Sequence, residues 1–104
     1  MLNNLKKLQT WYLSQCDGDW EHMYGIRVST VDNPGWYVEV NIAGTTLEGR
    51  SFESIRIDRE DRDWIFCRVE NNTFIGAGGP SNLDEILGVF NSWSCDNSGG
   101  INGR

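Results

Sequence analysis

The chain has 104 residues, 38% of them apolar and 23% charged, a net charge of −6 and a pI of about 4.6. That length supplies one hydrophobic core without help from metal or disulfide, and the composition excludes a disordered chain. A phosphate backbone and an anionic lipid surface both repel such a chain, which argues against nucleic-acid and membrane-surface roles and favours a basic protein partner. The acidity also serves plain solubility. Cys16, Cys67 and Cys95 form an odd set without a CxxC pair, so neither a disulfide framework nor a four-thiolate zinc site is expected. The first residues lack a continuous apolar stretch and so do not read as a signal peptide, and no run reaches the roughly eighteen apolar residues of a membrane span. The cytosol is the expected compartment.

Leu2, Leu5, Leu8 and Tyr12 recur at spacings of three and four, which predicts a helix over residues 2–15. Cys16-Asp17-Gly18-Asp19 should end it in a turn. From Trp20 the period changes to two: Tyr24, Ile26 and Val28 alternate with Gly25, Arg27 and Ser29. Asn33-Pro34-Gly35 reads as a type II turn, with Pro fixing φ and Gly supplying the positive one. Trp36, Val38, Val40 and Ile42 then alternate with Tyr37, Glu39 and Asn41, completing a hairpin.

A loop follows at 44–49, then a strand at 52–58 carrying Ile55 and Ile57 on one face. The charged run Arg59 to Asp63 should turn the chain into a strand at 64–70, and a short fifth strand follows at 73–75. Gly76-Ala77-Gly78-Gly79-Pro80 reads as a flexible strand-to-helix connection. Ser81 with Asp84 three residues on resembles a capping box. Leu83, Ile86, Leu87, Phe90 and Trp93 give the clearest helical stripe of the chain. The expectation is one α+β domain over 1–94, an antiparallel sheet of four to five strands flanked by a helix at each end, and a flexible tail over 95–104. One sheet face, or its edge, would then be open to a partner.

Several residue groups invite chemistry. Cys16 lies six residues from His22, the only histidine, and would need that base and an orienting third group to act as a nucleophile. Asp17, Asp19 and Glu21 alternate like calcium-loop ligands, but His22 stands where Gly is required and Val28 where the bidentate Glu belongs. Gly76 to Gly79 lacks the lysine of a phosphate loop and the βαβ unit of a dinucleotide site. Glu21 and the carboxylates Asp58, Glu60, Asp61 and Asp63 would need a cleft between them to work as a hydrolytic pair, and Arg59 and Arg62 screen the second group. The aromatic residues Trp20, Trp36, Tyr37, Trp64 and Phe66 carry more information. The fourth strand has Ile65, Cys67 and Val69 on one face and Trp64 and Phe66 on the other, so the sheet is either covered twice or bares an aromatic face.

Cys16-Asp17-Gly18-Asp19-Trp20-Glu21-His22 with Tyr24-Gly25-Ile26, then Asp32-Asn33-Pro34-Gly35-Trp36, resembles the immunity protein 53 family of bacterial polymorphic-toxin systems. The likeness continues through Asp63-Trp64, Cys67, Phe74, Gly76, Gly78, Asn82-Leu83 and Phe90 to Trp93. It implies a single α+β domain that neutralises a cognate toxin domain inside the producing cell, without catalysis or cofactor. The toxin contact would be sought at Asp17, Asp19, Trp20, Glu21 and Trp36, and at Asp61, Asp63 and Trp64, since aromatic anchors beside carboxylates suit a basic protein surface. A nuclease toxin would present such a surface. Two other readings remain open: a small thiol-dependent transferase using Cys16, and a regulatory module holding a small ligand between sheet and helix.

Overall fold

The computed structural model describes residues 3–99, with side chains of the last helix followed to Cys95. The element order is α1 (Asn4–Gln15), α2 (Trp20–Met23), β1 (Ile26–Val31), β2 (Gly35–Asn41), β3 (Ile55–Glu60), β4 (Asp63–Glu70), β5 (Thr73–Gly78) and α3 (Leu83–Gly99). The strands form one antiparallel sheet in the order β1-β2-β5-β4-β3, as expected of an α+β domain. No described helix is long and apolar enough to cross a membrane.

Both long helices lie on one face of the sheet. Alternation sends Val38 and Val40, Ile65 and Cys67, and Phe74 toward them, and all five are buried. Ile86, Leu87 and Phe90 of α3 meet them as the stripe predicts, with Leu83 and Trp93 partly buried beside them. Phe90 lies edge-on to Trp11 and Phe74, at centroid distances of 4.9 and 5.2 Å. Such offsets are worth about 0.5–1.5 kcal/mol each beyond the area they bury.

Gly76 and Gly78 are strand residues, not a connection. A Cβ on Gly76 would overlap Cγ2 of Ile86, so the missing side chain is what lets α3 lie directly on β5. At the start of α3, the carbonyl of Asn82 accepts from the Ile86 N–H at 3.0 Å, which makes Asn82 the residue that opens the helix in place of Ser81. Its buried side chain bridges β4 and α3: Oδ1 accepts from the Trp64 N–H at 3.4 Å, and Nδ2 donates to Asp63 and Glu85 at 3.0 Å each.

Other expectations shift in register. In α1 the inward residues are Leu8 and Trp11, while Leu5 and Tyr12 are exposed, because α1 packs on α3 along a line set by Asn4 and Asn91. The Asn3 side chain caps α1 through the Lys6 N–H at 2.8 Å. Trp20 begins a short helix, not a strand. The turn before β2 contains a cis Asn33–Pro34 peptide, and Gly35 is not among the positive-φ glycines; it is needed because a Cβ there would overlap the Gly78 carbonyl oxygen. The third strand begins at Ile55, since Phe52 turns into the core against Phe74 and Trp93. Of the expected tail, residues 95–99 continue α3, and residues 100–104 lie outside the described chain.

Candidate partner-binding surface

The turn between α1 and α2 is closed by its own acidic side chains. Asp17 Oδ1 accepts from the Asp19 and Trp20 N–H groups at 2.9 and 3.0 Å, and the two oxygens of Glu21 accept from the N–H groups of Asp17 and Gly18 at 2.9 and 2.8 Å. Backbone N–H groups hold both carboxyls below their ordinary range: Asp17 chiefly through that of Trp20, Glu21 chiefly through its own and then those of Asp17 and Gly18. The reciprocal cap seats Trp20, which is only 3% exposed. Its ring lies edge-on to Trp11 at 5.7 Å, and its Nε1 donates to the Asn41 carbonyl at 3.2 Å. Trp20 is therefore core, and Asp17 and Glu21 are its scaffold. Asp19 is exposed and makes no capping bond with its side chain.

Asp63 is likewise committed. It accepts from Arg59 at 2.7 Å and from Asn82, and Arg59 also forms a bidentate pair with Glu85, closest at 2.6 Å. The Asn82 amide, then Arg59, hold Asp63 below the usual carboxylate range, while the carboxylates push the Arg59 guanidinium up. This network ties β3, β4 and α3 together. Trp36 lies on the helix-covered face, half-buried, with Nε1 donating to the Pro80 carbonyl at 2.9 Å. Asp61 is exposed in the β3–β4 turn, and Trp64 stands next to it on the uncovered face, opposite Asp58.

The structure does not bring these residues into one patch. The Asp17–Glu21 turn sits by the end of β2 near β1, whereas Asp61, Asp63 and Trp64 sit at the other end of the strands near β3.

A contiguous surface does exist on the sheet face that neither helix covers. Register aligns Tyr37, Ala77, Phe66 and Arg56 across β2, β5, β4 and β3, with Glu39, Ile75 and Arg68 in the next row. The guanidinium carbons of Arg56 and Arg68 stand 5.0 and 5.3 Å from the centre of the Phe66 ring. Each such contact contributes about 0.5–1 kcal/mol at an exposed site. Arg68 also pairs with Glu70 at 3.0 Å, and the Tyr37 hydroxyl donates to Glu39 at 3.4 Å. Burial, then the neighbouring Glu39, raise the Tyr37 hydroxyl above its ordinary pKa. Arg27, Arg56 and Arg68 balance Glu39, Asp58 and Glu70 on this face, so the acidic excess lies outside it. Trp64 bounds a hollow of about 420 Å3 that it shares with Asp58, Arg59, Glu60 and Asp61.

The thiol groups offer less. Cys16 Sγ donates to the Tyr12 carbonyl at 3.3 Å, and among the described residues no hydrogen bond joins it to His22. Burial, then Glu85, push the Cys67 thiol up to about 12. No group of metal-ligating side chains occurs among the described residues.

The sequence profile of immunity protein 53 matches residues 5–95. The chain belongs to the immunity protein 53 family. No curated protein and no solved structure matches it. Much of the sequence through which the chain resembles this family is architectural here. Asp17, Trp20 and Glu21 build the capped turn; Gly35, Gly76 and Gly78 permit close backbone and helix approach; Asn82 and Asp63 tie α3 to the sheet. Tyr37, Arg56, Phe66 and Arg68 were absent from the expected contact set. The two-sided apolar pattern of β4 was the signal that pointed to Phe66.

Proposed function

We propose that this member of the immunity protein 53 family neutralises a cognate toxin domain by forming a stoichiometric complex with it in the cytosol of the cell that makes both. The reading rests on the family match over residues 5–95. The uncovered sheet face is the surface we assign to this contact: Trp64, Phe66 and Tyr37 as half-buried anchors, with Glu60 and Asp61 at one rim. A rigid, twisted sheet holds such anchors in fixed rotamers, so little side-chain freedom is lost on binding. The carboxylates at the rim, with Asp19 beyond the opposite end, favour a toxin with a basic surface, as a toxin acting on nucleic acid would have. Inhibition by occlusion needs no catalytic group.

Co-expression tests this. The toxic domain encoded beside this gene is induced with and without the protein. Rescue of growth together with a one-to-one complex is the expected result. Killing that continues while both proteins are soluble and do not associate would refute it.

A further inference from the structure

The two edges of the sheet are built differently. β3, Ile55–Glu60, carries Arg56, Asp58, Arg59 and Glu60 and breaks register between Asp58 and Glu60, the charges and bulge that protect an edge from further pairing. β1, Ile26–Val31, has one charge, Arg27, and six regular pairs with β2. Val28 points to the helix side, yet α1 and α3 do not reach over it and it is 45% exposed; Met23, Tyr24 and Val31 are exposed near it.

The ladder fixes which backbone groups are open. The Asn41 N–H donates to the Gly25 carbonyl at 3.0 Å, so Gly25, Arg27, Ser29 and Val31 direct their backbone groups at β2. Ile26, Val28 and Thr30 direct theirs outward.

We infer that β1 pairs with β1 of a second copy, antiparallel, about a two-fold axis through Val28. An antiparallel strand added to this edge must match outward residues with outward residues, which restricts the registers. Centring on Ile26 would run past Gly25, whose φ of 130° leaves the strand. Centring on Thr30 would set Ile26 against Pro34, which has no N–H to give. Centring on Arg27 would set two like charges opposite each other, and centring on Ser29 would leave only the two Val28–Thr30 pairs, with Ile26 against Asp32 beyond the strand. Centring on Val28 pairs Val28 with Val28 and Ile26 with Thr30, each pair exchanging two N–H···O bonds. Arg27 then faces Ser29, so no like charges stand directly opposite. The two Val28 side chains meet, and the interface is isologous, as closed dimers require. The uncovered faces of both sheets fall on the same side and become continuous.

The test is sedimentation of the intact protein over a wide concentration range, with amide hydrogen exchange on the same samples. A dimer is expected, with the amides of Ile26, Val28 and Thr30 protected. Val28→Lys, at an exposed edge position where Lys is tolerated, should weaken association by roughly tenfold or more and leave those three amides fast-exchanging. A monomer at every concentration overturns the inference, as does a dimer in which those amides exchange freely. So does a monomer whose β1 amides become protected only when toxin is added, which would give the edge to the toxin.

Discussion

One five-stranded sheet presents two faces of different chemistry. On the covered face, Gly76, Val38, Val40 and Phe74 fit closely under α3, and a neighbour sets the size of each. On the uncovered face, Tyr37, Trp64 and Phe66 are half-buried among paired arginines and carboxylates, and no described residue sets their size from above. Covered-face substitutions should therefore act on stability, and uncovered-face substitutions on binding.

Phe90→Ala should show the largest effect, a loss of about 3–5 kcal/mol, because the fully buried ring leaves a cavity between α1, α3 and β5. Urea unfolding would measure it. A loss under about 1 kcal/mol would mean the helices repack freely and the contrast of faces is false. Trp64→Ala with Phe66→Ala should cost about 2 kcal/mol or more in toxin binding by calorimetry, while changing the unfolding free energy far less than Phe90→Ala. Gly76→Ala should destabilise by about 1–3 kcal/mol, since the new methyl meets Ile86. Ala77→Ser, one residue along and facing the other way, should be nearly silent in the same measurement.

The smallest effect concerns acid. Asp17, Glu21, Asp63 and Glu85 all sit below their ordinary carboxylate pKa in the folded chain: Asp17 and Glu21 through backbone N–H groups, Asp63 first through Asn82, and Glu85 first through Arg59. Their stabilisation is complete above the unfolded range and is lost as pH falls below about 4, through the lower folded values. The melting temperature should fall on that acid limb, and Glu85→Gln should make the fall shallower. An unchanged limb would show that the Arg59 network carries no pH-dependent stability.

The contrast also explains what could be read from the sequence. The α3 stripe and the β2 alternation were legible because each buries one face with residues at its own period. Gly76 to Gly79 misled because glycine signals both a loose loop and a close approach, and only the position of Ile86 separates the two. Asp17, Trp20 and Glu21 read as a surface site because a self-capped turn and a binding patch use the same residue types; the hydrogen bonds that spend those carboxylates are invisible in the chain order. The aromatic face of β4 was legible as an alternative, open or covered. Its resolution required knowing that both helices, and Phe52 from the long loop, fall on the other side.

The most direct measurement is the affinity of the wild-type protein and of the Trp64→Ala, Phe66→Ala variant for a cognate toxin domain, with melting curves on both. Tight one-to-one binding by the wild type, and at least roughly thirtyfold weaker binding by a variant that still folds, is the predicted result. Unchanged affinity in the folded variant would remove the uncovered face from the interface, and no binding by the wild type would contradict inhibition by complex formation.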